Sequence, residues 1–436
     1  MNAAEASLVS ATGGLPPAPE FVAAARRAGR DAFERSGLPG TRQEDWRFTS
    51  LAPLAAHAFG HGDPAVPVLA GDLERVAGKP FGARLVFVNG RFRGELSTAH
   101  GMPTGVHASS LAHAISATPG LVESRLGRTA MVDGRPFAAL NAAFLGDGAF
   151  VHVGADARGG VVELVFATAS TDGPVACHPR VLVVADPGGD ATLVETYVAL
   201  GDHPVLTNAV TEVSLGAGAR LDHYQVQDQP ANAFHFATLT VEQGTDARLS
   251  THSTALGAAL SRSDVLARLV GEGAEVHVAG LYMADGKRLV DNHSVIEHVV
   301  PRGTSREIFK GILDGAARGV FAGRIRVMAG ASKADAHQHN SNLLLSRDAV
   351  VDALPQLEIY TDDVKAGHGG TVGELDREAL FYLRSRGIPA PAARGLLIYA
   401  FAREMVDRVA VPALRDRLGQ QVAARLAGGG AILEAE

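Results

Sequence analysis

A chain of 436 residues has room for two or three domains, or for one elongated body with appendages. Its 46% hydrophobic and 20% charged content is that of a globular protein, and a net charge of −7 without a basic run argues against nucleic acid and anionic membrane partners. The one cysteine, Cys177, excludes a disulfide framework or a cysteine-rich metal knot within a single chain.

The first residues, Met1-Asn-Ala-Ala-Glu-Ala, carry neither the basic start nor the apolar stretch of a secretion signal. No apolar run reaches the ~18 residues needed to span a bilayer, so a cytoplasmic protein is expected. After a loose Ala/Gly/Pro start, Pro19 to Arg35 predicts a helix, with Phe21, Val22, Ala25, Ala28 and Phe33 at helical spacing and Gly37 and Pro39 ending it. Trp46, the only tryptophan, reads as a buried anchor. Leu85 to Phe92 predicts a hairpin, because Asn89-Gly90 suits the positive φ values of a type I′ turn. A helical segment from Ser109 to Arg125 follows. Residues 1–140 thus read as a mostly helical cap in which nothing looks catalytic.

From Gly146 a pattern returns: Gly, any residue, Asp or Gly, Ala, any residue, then Leu or Val. It recurs at Gly188, Gly216, Gly244 and Gly271, which start 28, 28 and 27 residues apart (216 − 188, 244 − 216, 271 − 244). The Gly146 copy precedes Gly188 by 42 (188 − 146), one and a half periods. Short alternating strands lie between the turns, such as Ala209 to Leu215 and Thr238 to Glu242. A fixed period built from a Gly-turn and strands is the signature of a solenoid. A parallel β-helix is therefore expected over 141–372, in preference to a jelly roll, which needs no equal spacing. Whether one period is one wide coil or two narrow ones stays open. The helical regions at both ends would cap it.

The candidate chemistry is sparse. His368 lies in Thr361-Asp-Asp-Val-Lys-Ala-Gly-His-Gly-Gly-Thr371, which reads as a glycine-rich loop between Asp362/Asp363 and a helix starting at Asp376. It is either a solvated turn residue or an exposed imidazole able to bind metal or carry protons. His337 and His339, at i and i+2, would share one strand face and form a second metal candidate. Asn340 and Asn342 read as a stacked hydrogen-bonding ladder. Asp291-Asn-His293 and Glu297-His298 read as surface or cross-coil hydrogen-bonding groups, and Cys177 as a small buried thiol. No phosphate-loop, dinucleotide-binding, nucleophile-elbow or His-Glu-x-x-His motif occurs, so any ATP must be bound by another chain.

From Asp376 to the end the period is helical. Leu380, Phe381 and Leu383 precede the breaks at Pro389 and Pro391. Ala392 to Val409 then carries Leu396, Leu397, Ala400, Phe401, Met405 and Val409 on one stripe. A last helix covers about Pro412 to Leu426. Part of the stripe is expected to pack on the solenoid end, and residues 373–436 also suit partner docking.

Several of these segments are similar to motifs of a known family. They are Pro355-Gln-Leu-Glu-Ile-Tyr360, Asp362-Asp-Val-Lys365, His368-Gly-Gly-Thr-Val-Gly373, Leu380-Phe-Tyr-Leu-Arg-Ser-Arg-Gly-Ile388, Asn342-Leu-Leu-Leu-Ser346, Leu140-Asn-Ala-Ala-Phe144 and Arg42-x-Glu-x-Trp46. With them the chain resembles the SufB/SufD family of the SUF iron–sulfur cluster assembly machinery. It is closer to the D-type than to the B-type paralogue, whose corresponding block carries a cysteine before Glu-His-Glu-Ala-Thr.

The resemblance implies a right-handed parallel β-helix flanked by helical domains, and a non-catalytic scaffold subunit of a cytosolic complex. SufB would pair along the β-helix, and two copies of the ATPase SufC would supply the ATP site, one docking on the carboxy-terminal helices. No cofactor is implied on the isolated chain. A transient iron–sulfur cluster would form at the interface with SufB, with His368 facing a SufB cysteine. Many relatives carry a cysteine two positions earlier, where this chain has Ala366. Asp362, Asp363, Lys365, Arg384, Arg386, Phe401 and Met405 are the expected partner-facing residues, and pairing of two copies of the chain stays open. The alternatives are a purely complex-stabilising subunit, or a β-helix carbohydrate-active enzyme, which is typically secreted.

Overall fold

The computed structural model describes Leu8, Leu15 and residues 17–426. Most of the Ala/Gly/Pro-rich start and residues 427–436 of the expected carboxy-terminal region lie outside the described residues. Strand makes up 42% of the protein and helix 23%, so it is mainly β, built as a parallel solenoid of about eight turns with helices on either side in sequence.

Each coil gives one strand to each of two sheets. Val205–Leu215, Phe234–Gln243 and Leu260–Leu269 stack in the first sheet, and Asp190–Leu200, Arg220–Gln227 and Arg248–Ala255 in the second. Val210 lies opposite Thr238, 28 positions on (238 − 210), so one period is one wide coil. The repeated residues do what their chemistry dictates. Ala191, Ala219, Ala247 and Ala274 fill the corners, and Leu193, Leu221, Leu249 and Val276 enter the core between the sheets. A Cβ at Gly271 would lie 1.9 Å from Thr245 N, so stacked corners leave no room for a side chain there.

The amino-terminal helix α1 (Glu20–Ser36) crosses α2 (Pro136–Ala143) so closely that a Cβ at Gly29 would meet Ala139 O at 2.6 Å. Asn141 on α2 donates to the carbonyls of Pro179 and Asn208, both at 2.9 Å, fastening this region to the outer face of the first sheet. Trp46 is buried against Phe137 and Phe236, with the Arg262 guanidinium 3.9 Å from its ring. The expected hairpin is present, with Asn89 at φ 48° and Gly90 at φ 77°.

Two expectations need correction here. The first strand of the hairpin, Ala83–Val88, joins the second sheet beside Arg158–Ala169, so this region supplies solenoid strands as well as helices. The helix expected from Ser109 to Arg125 is two short ones, Leu111–Ala117 and Pro119–Glu123, because Pro119 cannot continue the first and starts the second.

At the other terminus lie α3 (Arg377–Ser385), α4 (Ala390–Val406) and α5 (Pro412–Ala424). Helices α4 and α5 pack along the outer face of the second sheet, not over the solenoid end as expected. The reason is an apolar stripe on that face: Tyr224, Val226, Leu281, Ile312 and Leu343 form one cluster with Ile398, Met405, Leu414 and Leu418. Polar ties fix the seam. Ala410 N donates to the Tyr224 hydroxyl at 3.0 Å, and Lys310 Nζ lies 2.6 Å from Glu404 Oε2. Among the described residues, no helix is long and apolar enough to cross a membrane.

Candidate functional site

Seven strands position the site: β1 (Glu275–Ala284), β2 (Leu289–His298), β3 (Thr304–Leu313), β4 (Arg318–Val327), β5 (Ala334–Leu344), β6 (Val350–Ile359) and β7 (Val364–Gly373). The first sheet ends in β2–β4–β6 and the second in β1–β3–β5–β7. In these sheets β6 and β7 are paired on one side only, so the last coil presents two strand edges. Neither strand contains a buried residue. Val350, Ile359, Tyr360 and Val372 are exposed there, Tyr360 by 58%. A flat edge with free backbone donors, acceptors and apolar side chains is a template for another chain.

His368 belongs to this edge. The expected glycine-rich loop is the strand β7, with its backbone in register with β5. The glycines make room rather than a turn. A Cβ at Gly369 would lie 2.9 Å from His339 Nδ1, and one at Gly367 would lie 3.3 Å from His337 Nδ1. Sequence reading saw the small residues but had no means of seeing what they make room for. The helix does begin where expected: Asp376 caps α3, accepting from Glu378 N at 2.8 Å.

Register separates the three histidines. His368 lies opposite Gln338, which is buried and faces the solenoid interior, while His337 and His339 lie opposite Gly367 and Gly369 on the outer face. All three line one open depression with Arg306 and Arg408, yet they approach it from opposite faces of the sheet. The outer pair is already engaged. His337 Nε2 is 3.1 Å from Asp335 Oδ1, and His339 Nε2 is 2.9 Å from Ser341 Oγ. Arg306 also binds Asp335 at 2.8 Å, and its hydrogen bond holds that carboxyl below the usual range. Among the described residues, no group of three His, Cys, Asp or Glu side chains comes together in a metal-binding arrangement.

The other expected residues divide by burial. Asp362, Asp363 and Lys365 are exposed beside the edge, where Asp363 O accepts from Lys333 N. Arg384 is exposed on α3 and Arg386 at its carboxy-terminal cap, and α3 has no buried residue and shows Phe381 at 74% and Tyr382 at 57% exposure. Met405 is a correction: it is fully buried between α4 and the second sheet and touches no surface. Phe401 is half-buried, with Lys310 Nζ 4.3 Å from its ring, so it serves the same internal seam. The asparagine ladder is also corrected. Asn342 donates to Asn340 along one strand at 2.5 Å and accepts from the Tyr282 hydroxyl of β1, and Asn340 donates to Phe309 O of β3 at 3.4 Å, so the pair is a buried link tied to earlier coils by a tyrosine and a backbone carbonyl, not by stacked asparagines.

Cys177 is buried, hydrogen-bonded with Thr168 at 3.0 Å, and burial raises its pKa. Sequence reading missed Glu307 and Gln338. Glu307 is fully buried on the inner face, where loss of water, only partly offset by the nearby Ser294 hydroxyl, raises its pKa to about 7. The signal was available: an acid at an inward position of the strand Thr-Ser-Arg-Glu-Ile-Phe.

Comparison with known proteins adds to this geometry. Residues 166–401 match the family model described as "SUF system FeS cluster assembly, SufBD core domain", and residues 17–160 match "SufBD protein N-terminal region". An iron–sulfur cluster assembly SufBD family protein of Synechocystis is 33% identical over 411 residues, 92% of this chain and 90% of the relative. The iron–sulfur cluster assembly protein SufD of Escherichia coli is 31% identical over 414 residues, 91% of each. Its counterpart in Bacillus subtilis is 28% identical over 290 residues, 66% of each.

Proposed function

The chain belongs to the SufBD family of the SUF iron–sulfur cluster assembly system, and on that premise we propose that it is a non-catalytic scaffold subunit completed by a paralogous chain. The observation that carries this reading is the open end of the solenoid, with two strand edges, exposed apolar side chains and His368 together. A SufB-type chain adding its own terminal strands there would satisfy the free backbone groups and bury Ile359, Tyr360 and Val372.

Iron–sulfur clusters are held mainly by thiolates, with histidine an occasional substitute. Cys177 is enclosed and kept as a thiol, so thiolates must come from the partner, and the inward-facing His368 would supply one imidazole to a nascent cluster carried as cargo. The sequence has no phosphate loop, and α3, exposed along its length, is the surface on which an ATPase of the SufC type would dock. ATP hydrolysis there would move the helical region against the shared edge. All of this would take place in the cytoplasm.

The test is reconstitution with the paralogue and the ATPase. His368→Ala is expected to leave the complex assembled and to lower the yield of iron and acid-labile sulfide. Undiminished cluster in an intact complex would leave the chain as a purely stabilising subunit.

A further inference from the structure

The outer face of the first sheet carries a file of alternating charges that runs across the strands, one residue per coil. Glu242, Arg268, Glu297, Arg326 and Glu358 are paired in successive strands, the last on the terminal strand β6. Every step of the file is an ion pair. Arg268 lies 3.5 Å from Glu242 and 3.2 Å from Glu297, and Arg326 lies 3.0 Å from Glu297 and 2.9 Å from Glu358. Glu297 therefore sits between two guanidinium groups. Glu358 has cations on its β4 side alone, Arg326 and, at 3.4 Å, Arg324. Its other side faces the free edge, and its side chain is 31% exposed.

The outer face of the second sheet ends on the opposite sign. Arg248, Glu275, Thr304, Asp335 and Lys365 are paired in successive strands there, with Arg248 3.1 Å from Glu275. Arg306 and His337 take up Asp335, which leaves the exposed Lys365 of β7 without an ion pair among the described residues. The open end thus presents a terminal acid on one edge and a terminal base on the other.

We propose that Glu358 and Lys365 form a two-point charge key for the paralogous chain, which sets a basic side chain against Glu358 and an acidic one against Lys365. This rests on reading the open end as a docking edge. The physical reason is desolvation. A strand added to β6 takes water from the Glu358 carboxylate, and a cation on that strand replaces it, as Arg326 does beside Glu297.

A second copy docking like edge on like edge answers neither group. The outward side chains of β6 are Val350, Asp352, Leu354, Gln356 and Glu358, with no cation. Those of β7 are Lys365, Gly367, Gly369, Thr371 and Gly373, with no anion. Crosswise docking of a second copy, β6 on β7 with Val350 opposite Gly373, would set Glu358 against Lys365. It would also stack the turns that carry Asp362 and Asp363 in both copies, so carboxylates meet carboxylates. The edges therefore favour a chain of opposite edge charge over the chain itself.

The experiment is calorimetric titration of the full chain with the purified paralogue. Glu358→Lys and Lys365→Glu are each expected to weaken binding about tenfold at low salt, with the losses multiplying in the double variant. The differences are expected to shrink near 1 M salt, where the Debye length is about 3 Å. Glu242→Lys, the same change at the far end of the file, is expected to bind as the wild type does. Exchanging the outward arginines and lysines of the paralogue's terminal strand for glutamate, one at a time, is expected to give one variant that restores binding to Glu358→Lys. Binding indifferent to both reversals, or weakened equally by Glu242→Lys, overturns the key alone. Wild-type chains that do not bind each other overturn the docking reading with it. Self-association that each single reversal abolishes and the double reversal restores marks a crosswise second copy as the occupant and overturns the paralogue.

Discussion

His252 Nε2 and the carbonyl oxygen of Met405 stand 3.0 Å apart across the seam between the second sheet and α4, in full burial. Burial lowers the pKa of His252 from 6.5 to about 4, outweighing the carbonyl contact, which favours the cation. The native state thus refuses a proton that the unfolded chain accepts between pH 6.5 and 4. Stability is full above pH 6.5, falls as the pH drops toward 4, and levels off below it. The shift is worth about 3 kcal/mol when fully developed. His252→Gln, which keeps an N–H donor, is expected to flatten part of the fall in Tm between pH 7 and 4. Calorimetry across that range checks it. Equal slopes in both proteins would count against the seam as an acid-sensitive joint. His178 and His235, held near 3 by burial, contribute in the same direction and keep the remaining slope.

Gly369 and Gly370 are adjacent in sequence and opposite in consequence. A Cβ at Gly369 meets His339 Nδ1 at 2.9 Å, whereas one at Gly370 meets nothing nearer than Asn340 O at 3.8 Å. Gly369→Ala is expected to shift β7 off β5 and weaken paralogue binding by about tenfold. Gly370→Ala is expected to bind as the wild type does. Affinity measured by calorimetric titration with the purified paralogue separates the two; equal losses would mean the edge is not read in this register.

Met405 and Arg384 should fail in different ways. Met405→Ala empties a buried site and is expected to destabilise the protein by about 2–5 kcal/mol in urea unfolding. Arg384→Ala on the exposed α3 is expected to change stability by less than about 0.5 kcal/mol while reducing recovery of the ATPase in co-purification. Normal ATPase recovery with Arg384 and Arg386 both replaced would move the docking surface elsewhere.

Arg180 and Glu212 form a buried ion pair, Arg180 Nε to Glu212 Oε1 at 3.1 Å, with Arg180 also donating to Asn141 on α2 at 3.0 Å. Despite burial, Arg180 and the backbone donors Gly127 and Ala130 hold the Glu212 carboxyl below its usual range. Arg180→Met strands that charge and is expected to cost about 3–5 kcal/mol. Adding Glu212→Leu should recover much of the loss, measured as a double-mutant cycle in urea. A double variant as unstable as the sum of the singles would show that the pair acts through packing alone.

Much of the architecture was legible because it is periodic. Gly216, Gly244 and Gly271 announce corners, their Ala and Leu/Val companions announce what fills them, and the change of period at Asp376 announces the helices. The helical stripe of Leu396, Phe401 and Met405 was equally legible, but not the surface that receives it. That surface, Leu281, Ile312 and Leu343 among others, is assembled from three coils about thirty residues apart and exists only once they stack. Met405 was therefore visible as apolar but not as inaccessible.

The site shows the same division. Residue types and order alone determined a solenoid, a single enclosed cysteine and an imidazole near its last coil. Which way His368 faces is a matter of strand register, since one position separates the interior from the outer face. Register is fixed by contacts between β5 and β7, about thirty residues apart, and local sequence does not contain it. The meeting of Glu307, Gln338, Gly323 and Gln356 likewise joins four strands through the core. The stacking of coils is what places the buried acid Glu307 beside the Gln338 carboxamide.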